Sequence, residues 1–265
     1  MRAETSGTPV QPDHDCEAAV RVAALVRHNV VLLLREPGPV AGRLVLPLVF
    51  VLLMHPLYVA VEGDGPGTVQ VVTGTLVMFS LLALSIVGNG ILAERIWRTW
   101  NRMRSSAAHP AELLVGKAVP VMSALLAQQL LILAFGAGAL GMSVVDPALL
   151  VLVCVCWSLA LLCVGAALGL LARSFSELSA VYDVGGLILS GLAGAVVPLT
   201  RLPDWAHAVA PVSPGYWALS GLRGALRGET GATLVACGVL LVFAAVGALV
   251  VYLRITRAGG RTTNI

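Results

Sequence analysis

LPLVFVLLMHPLYVAV, residues Leu46 to Val61, decides the class of this chain. Its apolar residues do not alternate with polar ones, whereas a membrane barrel needs short alternating strands. The run belongs to an apolar block of about twenty residues, the length an α-helix needs to cross a hydrocarbon core of about 30 Å. Comparable blocks recur along the 265 residues, of which 58% are hydrophobic and only 12% charged. A soluble domain carries roughly 25% charged residues. The chain reads as an all-α, multi-pass membrane protein.

Six transmembrane helices are expected, at residues 40–61, 68–92, 113–142, 147–172, 178–198 and 231–253, within one membrane unit over 40–253. Positive charge orients them. With a cytoplasmic N-terminus the inner side holds fourteen of the 17 Lys and Arg, and the outer side only Arg201, Arg223 and Arg227. The hairpins EGDGPG (Glu62 to Gly67) and SVVDP (Ser143 to Pro147) carry acid and no base, as outer loops should. An even number of spans places both termini in the cytoplasm of a plasma-membrane protein.

Residues 1–16 are polar, acidic and lack an apolar signal region. They read as a disordered cytoplasmic tail, and 254–265 as a second one. Over 17–36, Glu17, Arg21, His28 and Arg35 fall within about 40° of one another on a 3.6-residue helix. The rest of that surface is mostly Val, Leu and Ala. An amphipathic helix lying in the inner interface fits this pattern. A seventh span is disfavoured, because it carries the ionisable stripe into hydrocarbon. Residues 199–228 are too polar for a span and too apolar for a free loop. Two short helices broken around Pro211 and Pro214, re-entering the outer leaflet, fit best.

Several features exclude chemistry on this chain. It has no G-x-x-x-x-G-K-[ST] phosphate loop, no G-x-S-x-G elbow and no H-E-x-x-H pair. GAGALG (Gly136 to Gly141) matches a dinucleotide fingerprint but lies in an apolar helix with no preceding strand. It reads instead as small residues for close helix packing, as do Gly165-x-x-x-Gly169 and Gly191-x-x-x-Ala195. No catalytic residue, metal site or cofactor is expected here. Asn89, Gln128, Gln129, Tyr182 and Asp183 are the polar residues noted within the spans. Gln128 and Gln129 either bridge helices or meet cargo. Asp183 either serves a structural pair or cap near Arg173 or belongs to a substrate path, for which Asn89, Gln128, Gln129 and Asp183 are the candidates. One shallow carboxylate is a poor set for proton coupling, so energy for transport should come from a cytoplasmic partner.

The segment AERIWRTWNRMRSSAAHPAELLVGK (Ala93 to Lys117) stands between the second and third spans and gathers five of the 17 cations. Trp97, Trp100 and Met103 repeat at i, i+3, i+6, while Arg95, Arg98, Arg102 and Arg104 project elsewhere on a helix. Pro110 suits the first turn of the next helix. On these residues alone two readings stand: a positive-inside loop with Trp anchors, or a docking element for a soluble protein.

This segment resembles the cytoplasmic loop of ABC-2 type exporter permeases of the daunorubicin-resistance-like branch. Glu94, Arg95, Thr99, Trp100, Arg102, Arg104, Pro110, Leu113, Leu114, Gly116 and Lys117 stand at matching places. Ile96 and Arg98 depart, replacing an acid and a glycine of the family pattern. A second stretch, VVPLTRLPDWAHAVAPVSPGYWALSGLRGAL (Val196 to Leu226), is similar to the family's pattern before the last span. Pro198, Leu202, Pro203, Trp205, Pro211, Pro214, Tyr216, Trp217 and Arg223 carry it.

The resemblance implies a type-2 ABC exporter fold and a permease subunit without its own ATPase site. Two permease chains, identical or related, would form the path, and two copies of a cognate ATPase holding ATP and Mg would bind beneath. The loop over 93–112 would couple them through Glu94, Arg95, Trp97, Arg98, Thr99, Trp100, Arg102, Arg104 and Pro110. An extracellular gate would be built from Pro198, Pro203, Trp205, Pro214, Tyr216 and Trp217. The cargo would be an amphipathic drug-, antibiotic- or lipid-like molecule. Membrane lipid surrounds such a chain, and no nucleic acid is expected. The alternative is a stand-alone carrier or immunity protein without an ATPase.

Overall fold

A computed structural model describes Arg27 and residues 37–96 and 110–259. Nine α-helices follow in chain order among these residues: α1 (Pro37–Glu62), α2 (Asp64–Leu82), α3 (Leu84–Ile96), α4 (Pro110–Ala139), α5 (Pro147–Leu171), α6 (Phe175–Leu192), α7 (Asp204–Val209), α8 (Pro214–Arg227) and α9 (Thr230–Gly259). No strand occurs among the described residues.

Five helical stretches are long and apolar enough to cross a membrane: Ala41–Glu62, Asp64–Ala93, Ala118–Ala139, Pro147–Leu171 and Thr230–Arg254. The segment expected as a further span, 178–198, falls on α6 and the turns after it. This helix has 18 residues, including Glu177 and Asp183, and rises about 27 Å at 1.5 Å per residue. It follows α5 after a short link at 172–174, and the turn beyond its end is tied to α1 and α2 through Tyr58 and Gln70.

α5 is the hub. It packs against α9 along the most extensive seam and also meets α3, α4 and α8. Leu150, Val153, Trp157 and Leu161 of α5 join Leu76 and Leu81 of α2 and Leu240 of α9 in one buried core. The α2–α3 stretch is the most buried of the five, and α1 the least. Leu46, Leu53 and Leu57 of α1, Val184, Leu187 and Ile188 of α6, and Val235, Val242 and Val246 of α9 are exposed. So much contiguous apolar surface is what a helix bundle shows to lipid or to another chain.

Local chemistry sets the helix ends. Between α1 and α2 only Gly63 intervenes, at φ 88°, a conformation glycine adopts without steric cost. The EGDGPG hairpin is therefore shorter than the sequence suggests, and α2 starts at Asp64 with Pro66 in its first turn. The second expected span is one stretch broken at Ala83, where Ser85 Oγ donates to the Leu82 carbonyl at 3.1 Å. α4 stops at Ala139, short of the expected Met142, because the chain turns at Gly141 with φ 70°. Asp146 caps α5, its Oδ1 accepting from Ala148 N and Leu149 N, each at 3.0 Å. Ser174 caps α6 by accepting from Glu177 N at 3.1 Å, and Glu177 Oε2 accepts from Arg173 N at 2.9 Å.

Small residues do bring helices together, though not at every expected place. A Cβ built on Gly169 would lie 2.7 Å from the Gly88 carbonyl oxygen, so α5 and α3 touch through their backbones. Gly136 meets the Val72 side chain of α2. Gly191, by contrast, has no neighbouring atom within 4 Å of a built Cβ. α6 ends at Leu192, so Gly191 and Ala195 do not share a helical face.

Candidate functional site

The two ends of the bundle differ in kind. At one end α3 runs to Ile96 and α4 begins at Pro110. Glu94 and Arg95 stand in the last turn of α3, and Pro110 opens α4. Trp97, Arg98, Thr99, Trp100, Arg102 and Arg104 lie outside the described residues, as does the expected amphipathic helix apart from Arg27. This end therefore supplies the place of the basic segment: it is joined to the most buried stretch of the bundle.

The four expected path residues differ in their settings. Gln129 of α4 is fully buried and its Nε2 donates to Ser158 Oγ of α5 at 3.0 Å, a bridge between helices. Its Oε1 and Asn89 Oδ1 of α3 are buried without a hydrogen-bond partner among the described residues. Gln128 is also buried. Asp183 is exposed beside Val184 on the outer surface of α6, while the neighbouring Tyr182 points inward. Tyr182 Oη donates to the Gly165 carbonyl at 3.3 Å. No hydrogen bond or ion pair joins Asp183 to Arg173 among the described residues.

The other end gathers the expected gate residues. Pro198 precedes a 3₁₀ turn at Leu199–Arg201, Pro203 precedes α7, and Pro214 is the first residue of α8. Two short helices break around Pro211 and Pro214 there. Trp217 Nε1 donates to the Pro211 carbonyl at 2.8 Å. The Tyr216 and Trp217 rings meet edge to face with centroids 5.3 Å apart. Trp205 stands apart, 63% exposed.

Beneath these aromatics is a polar cluster that the sequence reading passed over. It forms around the chain leaving α6. Gln70 Nε2 of α2 donates to the Gly194 carbonyl at 3.0 Å and the Ala195 carbonyl at 3.3 Å. Tyr58 Oη of α1 donates to the Val196 carbonyl. Ser213 Oγ, before α8, donates to the Leu189 carbonyl at 3.1 Å. Helix ends leave carbonyls without partners; here Tyr58 of α1 and Gln70 of α2 supply them at 194–196, and Ser213 adds a second donor to the Leu189 carbonyl, which also accepts from Ala193 N at 3.0 Å. Arg223 of α8 then donates through Nη2 to Gln70 Oε1. Burial, and secondarily the charge of Arg227, pull the Arg223 pKa down to about 10, so the guanidinium is still charged at neutral pH. The available signal was electrostatic: of the three cations expected on the outer side, Arg201 pairs with Glu62 at 3.0 Å and Arg227 with Glu229 at 2.8 Å. Only Arg223 lacks an acid among the described residues, and Gln70 of α2 serves it instead.

The Glu62–Arg201 pair lies at the rim, with the Arg201 side chain 54% exposed. Exposed pairs contribute little. Arg201→Ala is expected to cost less than about 1 kcal/mol, measured as thermal unfolding of the detergent-solubilised chain.

A cavity of about 330 Å³ opens at the same end, lined by His55, Asp64, Thr68, Leu140, Met142 and Ser143 among others. Thr68 Oγ1 donates to the Asp64 carbonyl at 2.6 Å and lies 2.9 Å from His55 Nε2. Since the hydroxyl proton is already used, His55 is the donor to Thr68 through Nε2.

A lipid-matched bundle, with buried polar bridges and a basic segment at one end, defines a multi-pass helical membrane protein. The sequence profile described as ABC-2 type transporter matches residues 20–226. The chain belongs to that family and is a permease component of an ABC-type transporter. Permeases of this family generally work with an ABC ATPase partner. No curated protein matches the chain closely enough to stand as a relative.

Proposed function

We propose that this chain is the membrane half of an ATP-driven exporter in the plasma membrane, with both termini in the cytoplasm and α6 as the sixth crossing. Two such chains, or this one and a related one, form the path. Two copies of a separate ATPase, carrying ATP and Mg, dock beneath. The observation that carries this reading is the basic-aromatic segment of residues 93–112, joined directly to the most buried helical stretch. A cationic segment interleaved with Trp offers charge pairing and apolar anchoring to a soluble protein surface. Glu94, Arg95, Trp97, Arg98, Thr99, Trp100, Arg102, Arg104 and Pro110 make that contact.

The cargo is an amphipathic drug-, antibiotic- or lipid-like molecule. What supports this is the sparseness of charge inside the bundle, where the buried polar side chains are Ser and Thr hydroxyls and the amides Gln70, Gln128 and Gln129. Pro198, Pro203, Trp205, Pro214, Tyr216 and Trp217 form the outer gate.

The test is co-purification with a cognate ABC ATPase. Trp100→Ala combined with Arg102→Glu is expected to lower complex recovery and permease-stimulated ATP hydrolysis at least tenfold. That loss corresponds to two interface contacts of roughly 1 kcal/mol or more each. An intact complex in the double variant rules out docking through this segment. Protection or transport by the chain alone, unaffected by loss of ATP hydrolysis, would instead identify a stand-alone carrier or immunity protein.

A further inference from the structure

Gln70 does two jobs with one side chain. Its Nε2 holds the Gly194 and Ala195 carbonyls, and its Oε1 receives Arg223. One helical turn further along the same face of α2 is Gly74, whose built Cβ would lie 2.0 Å from the Ala195 carbonyl oxygen. α2 thus grips the turn after α6 twice, by side chain at Gln70 and by backbone contact at Gly74. Through Arg223 it also holds α8. The Gln70–Arg223 bond is the one side-chain hydrogen bond between α2 and α8 among the described residues, and Gln70 itself is only 5% exposed. In a site poor in water such bonds are worth more than at a surface. The other end of the same helical stretch, beyond the break at Ala83, runs into the basic segment.

We propose that Gln70 is a positioning residue for transport, a clasp that makes α8 and the turn at 193–196 follow any displacement of the α2–α3 stretch. It acts through Arg223 and through the backbone it holds and need not touch cargo. The proposal rests on the reading of the basic segment as the place where an ATPase drives the chain.

The experiment is hydrogen–deuterium exchange on the full chain in lipid nanodiscs, read at amides of residues 193–201 and 214–227. Wild type is compared with Gln70→Leu and Gln70→Glu. Leucine removes both halves of the clasp, so exchange in both segments is expected to rise about tenfold or more, the factor set by a lost hydrogen bond to a charged group. Glutamate keeps an acceptor for Arg223 but cannot donate to the carbonyls. It is expected to loosen 193–201 and leave 214–227 protected. Unchanged exchange in both variants overturns the clasp, and the glutamate variant decides the matter if the leucine variant does not fold.

The second arm uses the complex with its ATPase, with and without ATP and vanadate. In wild type, nucleotide is expected to change exchange in both segments. In Gln70→Leu that change should vanish while the complex and its ATP hydrolysis persist, and Gln70→Glu should restore it in 214–227. A purely structural role would not remove the nucleotide response selectively. A response that survives in Gln70→Leu overturns the coupling. A wild-type chain that binds no ATPase overturns the proposed function and the coupling together, while the first arm still decides the clasp.

Discussion

Gly74→Ala is expected to abolish most of the correctly folded protein. A methyl there would sit 2.0 Å from the Ala195 carbonyl oxygen, closer than any real contact of a Cβ. The obstacle is backbone, so no rotamer change relieves it. Either α2 withdraws from the turn, breaking the Gln70 bonds to Gly194 and Ala195, or the turn itself moves and strips Tyr58 from Val196. Both leave buried polar groups without partners, each at roughly 1–3 kcal/mol, added to overpacking of about 1–3 kcal/mol. A domain is held by only about 5–15 kcal/mol. The measurement is the monodisperse fraction in size-exclusion chromatography after mild heating. Gly185→Ala on α6, where a built Cβ meets nothing within 4 Å, is the control and should behave as wild type. Equal yields for both variants would show that the α2 contact is not as close as described.

Gly247→Ala is expected to produce the next largest loss, at the opposite side of the core. A Cβ on Gly247 of α9 would lie 2.7 Å from the Cys163 carbonyl carbon and 2.9 Å from Val164 N on α5. This is the longest seam in the bundle, so separating the helices there exposes gaps along Leu240, Ala244 and their partners rather than at one point. Gaps in a packed interior forfeit contacts on both walls. Overpacking of about 1–3 kcal/mol is the minimum expected, read as a lowered apparent unfolding midpoint in detergent. Gly238→Ala on the same helix has open space and should match or slightly exceed wild type, since alanine favours helix over glycine by about 1 kcal/mol. A drop at Gly238 equal to that at Gly247 would point to a general intolerance of α9 rather than to the seam.

The helical architecture was legible because apolar block length is a direct physical requirement of crossing a bilayer. Five of the six expected blocks coincide with helices long and apolar enough to do so. Helix ends were less legible. The segment at 178–198 reads as one apolar block, yet the helix stops at Leu192 and the remainder turns around Gly194, at φ 80°. Hydropathy does not register that change, because Val196 and Val197 are as apolar in a turn as in a helix. The same blindness affected Gln70. It falls at the third residue of the expected second span, but α2 begins at Asp64, which carries Gln70 nearly two turns into the helix and onto the face that meets α6. Its partners are backbone carbonyls more than a hundred residues away, and carbonyls have no signature in sequence. Gln129 was legible as a polar residue in an apolar helix, and its bond to Ser158 agrees with the helix-bridging alternative.

The one-residue turn at Gly63 bears on how the chain is made. Helices joined by a single residue, and locked where Gly67 lies against the Tyr58 backbone, have no slack with which to enter a bilayer one at a time. α1 hides little of itself against the bundle and carries Pro47 and Pro56, so most of its apolar surface is left for lipid or another chain. A link this short makes joint insertion of the pair the expected route, with α2 supplying the surface on which α1 settles. Lengthening the link at Gly63 would uncouple those two events and turn a concerted insertion into a stepwise one.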